Sequence, residues 1–589
     1  MLIKVEYFKN LVFKQDKKQN MFQQKRNIKT QKPTDKIKIC VLGGLGEVGR
    51  NLSFIEYKDQ ILVFDCGLRF PEEDMPGVDF IIPNVDYLEK NRKKILGVFI
   101  THAHYDHIGA IPYIIEKLGS PTIYTAPLTK AIILKRQADF PHQKELDVEA
   151  IDLQKLQPIT LGHFKVYPYL VNHNIPDTLG FATETPLGTI FYMPDFKIDF
   201  SPIIDKPIDL GRISYLASKN PLVLMVDSTG SEEEGHSISE KGIYDDLERI
   251  FERASGRIIA ATFASLISRL QQLIWLSEKF NRRVVIDGYS MKSNVEIARM
   301  MSYLKINKNT LISPQEAQGL LSRQLTILCT GSQGEDKAVL MRIANREHKF
   351  FKVEKGDTVI FSSSVVPGNE RTVQNLKDSF YRQGARVYHY KMMDIHAGGH
   401  AQQEELKLML NLIRPKFLIP IHGQYSMLQA HADLAEQLGI PKQNIVIAEN
   451  GQIIEATKET INPTQYQVPA NYVMVDGLGV GDVGEVVLRD RNQLSKDGML
   501  VVVAVVDGEK GEIKGEPEIS SRGFVYLKDS QNLMNQTKHL IKDVIKKTIS
   551  KDHTTNWTYV KDNLRDKIGE FLFKETQRRP MILPFIVEV

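Results

Sequence analysis

Thr101-His102-Ala103-His104-Tyr105-Asp106-His107 is the stretch whose reading decides this chain. It places three imidazoles and a carboxylate within six positions, in a protein with 15 histidines in 589 residues. The run before it, Ile95-Leu-Gly-Val-Phe-Ile100, is apolar and rich in strand formers. That predicts a buried strand with the cluster on the loop at its end. Gly109 follows, then a helix-like stretch from Ile111 to Lys117. Imidazole and carboxylate donors at a strand end suit borderline divalent cations, zinc first and manganese second. The plain alternative is a polar loop that happens to be rich in histidine, which so dense a cluster disfavours.

Outward from this loop the pattern is α/β throughout. Regular patterning begins at Lys36-Ile-Lys-Ile-Cys-Val-Leu42, and strand-like runs recur at Ile61–Phe64, Lys165–Val171, Thr189–Met193 and Leu222–Val226. A helical stretch covers Ser239–Arg253. A second block alternates on its own: Arg257–Thr262, a helix over Ser265–Phe280, Arg283–Asp287, a helix through Val295–Leu304, then Gln324–Cys329, Thr358–Phe361 and Arg386–Tyr390. Lys416–Pro420 reads as another buried strand. From about Thr460 the character changes, with a valine-rich run over Met499–Val506 and helical charge patterning over Lys538–Lys551.

A chain this long divides into several domains. No apolar stretch is long enough to span a membrane, and no secretory signal is read at the N-terminus. Cys40, Cys66 and Cys329 are far apart, which argues against a disulfide framework or a Cys-rich zinc site and fits a reducing cytoplasm. The net charge of +4 is uneven. Residues 1–36 carry +7, which leaves −3 on the remainder. A Lys- and Gln-rich tail of this kind is expected to be disordered, and to lend at most non-specific affinity for nucleic acid.

Three further candidates share the strand-end context in which α/β folds place their chemistry. They are His173 after Lys165–Val171, Asp195 after Thr189–Met193, and His422 after Phe417–Pro420. Each alone is more often a hydrogen-bonded loop residue or a turn; their recurrence at strand ends favours a shared site. Gly44-Leu-Gly-Glu-Val-Gly49 fits a dinucleotide-binding pattern, with Asp65 near the place of a ribose-binding acid. That motif needs a helix to open at its glycines. Leu52–Tyr57 reads as a strand, so a tight turn is expected and a dinucleotide site is the minor alternative.

These residues carry a resemblance. His-x-His-x-Asp-His, an isolated His and then an Asp resemble the metallo-β-lactamase superfamily. Longer motifs are similar to its β-CASP nucleases, and within them to the bacterial ribonuclease J family. These include Gly43–Gly49, Asp65-Cys-Gly-Leu, Phe70-Pro-Glu-Glu-Asp-Met75, Asp227-Ser-Thr229 and Thr330-Gly-Ser-Gln-Gly-Glu335. Phe361-Ser-Ser-Ser364, Pro367-Gly-Asn-Glu370, His396-Ala-Gly-Gly-His400 and Ile421-His-Gly423 follow. Gly481-Asp-Val-Gly484, Ser521-Arg-Gly-Phe524 and Arg579-Pro-Met-Ile-Leu-Pro584 extend it to the C-terminus. The resemblance covers nearly everything after the tail.

The resemblance implies an αββα metallo-β-lactamase sandwich with an inserted β-CASP α/β domain and a small α+β C-terminal domain. The expected divisions are a disordered basic tail (1–35), a first metallo-β-lactamase part (36–213), the β-CASP domain (214–380), a second metallo-β-lactamase part (381–460), and a linker with an oligomerisation domain (461–589). By resemblance His102, His104 and His173 hold one divalent metal, Asp106, His107 and His422 hold a second, and Asp195 bridges them. Zinc is the expected metal, manganese the other choice. Asp65 is expected behind the ligands, where metal-bound imidazoles need an acceptor; from sequence alone it is equally a strand-end turn residue. The implied chemistry is attack on phosphorus by a hydroxide shared between the metals. Asp106 orients that hydroxide, and His400, held by Asp227, serves the leaving oxygen. A metal-free triad on His400 lacks a nucleophile elbow. Ser332, Gly398, Gly399 and the His400 backbone are expected to cradle a 5′-phosphate, although local sequence alone reads these loops as tight turns.

The implied function is a cytoplasmic ribonuclease of RNA maturation and mRNA decay. It acts 5′→3′ as an exonuclease and also as an endonuclease, prefers 5′-monophosphorylated RNA, and forms homodimers, homotetramers or hetero-oligomers with a paralogue. The alternatives are a weakly active scaffold subunit paired with an active paralogue, and a hydrolase of another phosphodiester on the same fold. Several positions depart from the family pattern. Tyr105 stands where an acid is usual, Leu266 and Ser268 where polar Asn and His are, Tyr289 for Arg, and Gly398 for Ser. Intact metal chemistry with an altered grip on RNA is therefore expected, with Tyr289 available to stack on a base.

Overall fold

The structure, a computed structural model, describes residues 35–589 apart from 73, 336, 366–367, 394, 396–397, 508–511, 527–529 and 549–555. Of the tail expected over 1–35, all but Asp35 lies outside the described residues. The end of the helical patterning over Lys538–Lys551 also lies outside them. The chain forms two compact units, one of residues up to 68 with 83–471, the other of 69–82 with 472–589.

In the first unit an eight-stranded sheet runs in the order Ile461–Gln467, Gln452–Ala456, Ile37–Gly43, Leu52–Tyr57, Gln60–Phe64, Ile95–Phe99, Ile123–Thr125, Val148–Ala150. A six-stranded sheet runs Phe417–Ile421, Pro221–Asp227, Gly188–Met193, Leu179–Thr185, Phe164–Leu170, Ile159–Leu161. One core joins them: Ile39, Ile55 and Leu62 from the first sheet pack with Ile190, Val223 and Ile419 from the second. Phe99 bridges the layers, 5.9 Å from Phe64 and 5.2 Å from Phe181 between ring centroids. The other face of the second sheet, through Phe191, Val226 and Leu418, lies under the helices Leu210–Ala217, Gln403–Ile413 and Tyr425–Gln437. Burial on both faces explains why these strands are continuous apolar runs without alternation.

The strands Pro221–Asp227 and Phe417–Ile421 are parallel neighbours in this sheet although far apart in sequence. Between them lies an inserted five-stranded sheet, ordered Arg283–Asp287, Leu325–Cys329, Ile258–Ala261, Thr358–Phe361, Arg386–His389 and parallel throughout. A two-sheet sandwich with an inserted parallel α/β domain is the architecture that the resemblance implies. The helix expected through Val295–Leu304 instead spans Tyr289–Met300. Gly288, at φ +110°, turns the chain straight from strand into helix, and Ser302, at φ +65°, ends it. The stretch expected to be helical over Ile111–Lys117 is an α-helix only over Ile111–Ile114.

In the second unit the strand Met499–Asp507 pairs antiparallel with Glu512–Ile513 and Glu518–Arg522 and parallel with Met581–Glu588. The helices Gln531–Thr548 and Trp557–Thr576 supply Ile541, Ile545, Leu564 and Ile568 to the core beneath it. No described helix is long and apolar enough to cross a membrane. All three cysteines are free and buried.

Candidate metal centre

The structure brings every expected ligand to the ends of strands. Thr101–His104 follow the strand Ile95–Phe99, and Asp106 and His107 lie in the short helix Tyr105–Ile108. His173, Asp195, Asp227 and His422 sit at or just beyond the ends of four strands of the second sheet. Gly67 lets the two loops meet: a Cβ there would fall 1.6 Å from the Asp106 carbonyl oxygen.

Two clusters form. In one, His104 Nδ1 lies 3.1 Å from His102 Nε2 and 3.1 Å from His173 Nε2. Asp195 Oδ2 faces them, 3.8 Å from His102 Nε2 and 3.6 Å from His173 Nε2. In the other, His107 Nε2 lies 3.4 Å from Asp106 Oδ2 and 3.3 Å from Asp195 Oδ1. His422 presents both nitrogens, Nδ1 at 2.6 Å from Asp195 Oδ1 and Nε2 at 3.6 Å from Asp106 Oδ2. Asp195 thus turns one oxygen to each cluster.

Hydrogen bonds behind the rings fix which nitrogen is bare. Asp65 Oδ1 accepts the Thr101 N–H and hydroxyl, both at 2.9 Å, so the Thr101 oxygen accepts from His102 Nδ1 at 3.0 Å. Asp65 Oδ2 accepts His107 Nδ1–H (2.9 Å) and the Tyr192 hydroxyl (3.1 Å). His173 Nδ1–H donates to the Gly399 carbonyl (2.6 Å). In the His102 and His173 rings the proton is on the outer nitrogen and a lone pair points inward, and behind His107 an acceptor likewise holds the outer N–H. Burial, then neighbouring imidazoles, holds His102 well below its ordinary range. Burial pulls His104 down to about 4 and His173 to about 3. Burial also lowers His107, but Asp195, Asp106 and Asp65 outweigh it and raise the ring. Three imidazoles held neutral by burial, with nitrogens 3.1 Å apart and a carboxylate opposite, form a donor set that fits a cation.

The open edge consists of His104, Asp106 and His400; the other ligands are buried. His400 Nδ1 donates to Asp227 Oδ2 (2.8 Å), and Asp227 Oδ1 accepts the Thr229 N–H (2.9 Å) and hydroxyl (2.7 Å). Burial lowers His400, but Asp227 and then Asp195 raise it to about 9.

The expected phosphate cradle is divided. Gly399 lies against the cluster, where a Cβ would meet His173 Cε1 at 2.3 Å, so its packing already demands glycine. A Cβ on Gly398 would meet nothing. Ser332 lines a cavity of the inserted domain with Ser363 and Val365. The dinucleotide alternative is set aside, because Leu52–Tyr57 is a strand antiparallel to Ile37–Gly43 and no helix opens at Gly44, Gly46 or Gly49.

Four partners escaped the sequence, one of them Tyr192, whose hydroxyl reaches Asp65. Asn51 Nδ2 donates to the Asp106 carbonyl (3.1 Å) and lies 3.1 Å from His107 Nε2. Thr101 is described above, and the Gly49 N–H donates to His422 Nε2 (3.3 Å). Only the position of Thr101, directly before the cluster, could have marked any of them.

Comparisons with known proteins cover most of the chain. Residues 62–210 match the beta-lactamase superfamily domain, 255–380 the ribonuclease J beta-CASP domain, 390–447 the Zn-dependent metallo-hydrolase RNA specificity domain, and 486–589 the ribonuclease J C-terminal domain. The chain is 36% identical to ribonuclease J2 of Bacillus subtilis over 95% of its length and all of that protein. It is 38% identical to ribonuclease J 1 of Streptococcus pyogenes, covering 94% of this chain and 98% of that one. It is also 38% identical to ribonuclease J of Thermus thermophilus, covering 94% and 96%. A crystal structure of a protein of unknown function from Enterococcus faecalis shares the fold, with a TM-score of 0.50 at 17% identity, over 72% of this chain and all of that one.

Proposed function

The chain belongs to the ribonuclease J family and is a metal-dependent ribonuclease; on that premise we propose that it degrades and matures RNA 5′→3′ from a 5′-monophosphate end, with endonuclease activity as well. The observation that carries the reading is Asp195, which turns one carboxylate oxygen to each of two donor clusters. That arrangement suits two divalent cations, and imidazole-rich sets suit zinc, with manganese second. Bound there, such cations supply Lewis acidity that activates water and neutralises charge on phosphoryl oxygens.

The chain's own groups do the rest. Asp106, at the open edge, orients the attacking water toward phosphorus. His400 protonates the leaving ribose oxygen from Nε2, because Asp227 holds Nδ1. Asp65 and Thr101 hold the Nδ1–H of His107 and of His102, so that Nε2 is the nitrogen each ring offers to a cation. The Gly398–His400 backbone meets the upstream phosphate, and Tyr289, among the most exposed aromatic side chains, stacks on a base. The reading extends to a cytoplasmic role in RNA maturation and decay and to self-association through the second unit.

The test is cleavage of one RNA carrying either a 5′-monophosphate or a 5′-hydroxyl. His400→Gln is expected to lower kcat about 10²–10⁴-fold on both, as loss of a general acid does. The wild-type chain is expected to prefer the monophosphate. Equal rates on both ends count against 5′-phosphate selection. An unchanged kcat in His400→Gln removes its role as the acid.

A further inference from the structure

The inserted sheet carries a cavity of about 330 Å³. Phe361 and His389 end two neighbouring parallel strands at its wall, and Ser332 and Ser363 lie on the loops that follow strands. The carboxyl edge of an open parallel sheet is where such sheets place their ligands. Arg371 and Lys377, from the helix Glu370–Arg382, line the cavity with Lys391 and His389. Among the described residues none of these four has an ion-pair partner. One acid, Glu370, also lines the cavity, where it accepts the Gly368 N–H (2.9 Å), and Asp378 accepts the Gln374 amide (2.9 Å); four basic side chains thus face one carboxylate.

The cationic groups repel one another. Lys377 is lowered by burial and then by Lys391, and His389 by burial and then by both lysines. The Nδ1 of His389 is buried without a hydrogen bond. A solvated charged face would be flat, with its charges spread apart. Here they converge on a concavity whose floor, at Phe361, Val365 and Val373, is apolar. Gathering unpaired positive charge disfavours the folded chain, and an anion seated among the groups relieves it.

We propose that this cavity is a subsite for the phosphate of a nucleotide, with the base or sugar against its apolar floor, separate from the metal ligands. The phosphate comes either from a bound RNA strand or from a free mononucleotide; only the first source rests on the ribonuclease reading. The experiment uses the full chain in an Asp106→Ala background, which does not cut RNA, with and without Lys377→Ala/Lys391→Ala. AMP binding is measured by calorimetry and binding of a labelled RNA oligonucleotide by anisotropy.

With a free nucleotide as the source, AMP binds one per chain, and the double variant weakens it about tenfold or more. With RNA as the source, AMP gives no heat, and the double variant loses about tenfold in oligonucleotide affinity with a shallower salt dependence. Lys377→Arg/Lys391→Arg retains binding in either case. The double variant is expected to melt no lower than its parent, since it removes repulsion. A lower melting temperature, or unchanged affinity for both probes, overturns the proposal. Hydrolysis of bis(p-nitrophenyl) phosphate by the chain with Asp106 intact reports the metal centre alone. Its absence counts against the ribonuclease reading while the AMP result still stands.

Discussion

Asp65 commits both carboxylate oxygens to groups behind the clusters, Thr101 on one and His107 with Tyr192 on the other. It does so from a left-handed backbone at φ +58°, and His422 reaches Asp195 from φ +51°. Such strain persists where the surroundings over-determine it, as they do here. A different pair of acids gives a test at this scale. Asp205 is raised to about 7 by burial and then by the charge of Asp177, and Asp177 is raised to about 6 by burial. Both values lie above the 3.8 of an ordinary Asp, so folding takes up protons between about 4 and 7. The fold is favoured below that window and loses stability as pH rises through it. Asp205→Asn removes part of the loss. The variant is expected to melt a few degrees above wild type at pH 8 and level with it near pH 4. The same difference at both pH values would mean that Asp205 is not a raised acid.

Among the elements, the strand Met499–Asp507 shows what a valine-rich run leaves open. An apolar run without alternation looks like two-sided burial. The structure buries Leu500, Val502, Ala504 and Val506 under the helices and leaves Val501, Val503 and Val505 half covered on the other face. Parallel pairing sets Leu583, Phe585 and Val587 beside those three valines, and Phe585 and Val587 are exposed. Six apolar side chains thus share one face, beside an edge strand whose outer side has no described pairing. A second copy of the chain is the occupant that matches an apolar patch beside an open strand edge. Val503→Glu/Phe585→Glu is expected to reduce the mass measured by light scattering to that of a monomer. Cleavage of a short RNA should stay within about twofold of wild type, because these residues are remote in sequence from every ligand. An unchanged mass assigns the patch to some other cover.

Across the whole molecule, strand ends were legible and what lies between them was not. Each ligand follows an apolar run, so His102, His173, Asp195 and His422 could be found one strand at a time. Asn51 and the Gly49 N–H reach His107 and His422 only because the hairpin Ile37–Tyr57 folds over the loop at Asp106, and no local pattern records that. The Tyr289–Met300 helix was placed too late because Gly288 starts it without a capping side chain. The centre gathers ligands from residue 102 to residue 422 and so ties both sheets of the sandwich across the insertion. Without a cation, three imidazole nitrogens crowd together, two of them 3.1 Å from the third, while Asp195 and Asp227 share one buried neighbourhood. A cation that binds only the folded chain stabilises it by about 4 kcal/mol when present at a thousand times its Kd. Chelation is therefore expected to lower the main calorimetric transition by several degrees and abolish RNA cleavage. Zinc should restore both together, and magnesium less completely, because it favours oxygen ligands. Elemental analysis of the restored protein is expected to find two cations per chain, and Asp195→Asn to hold fewer. One cation per chain in the restored wild type would refute the two-cation reading. A melting transition indifferent to chelation would mean that the cluster holds its geometry by hydrogen bonds alone.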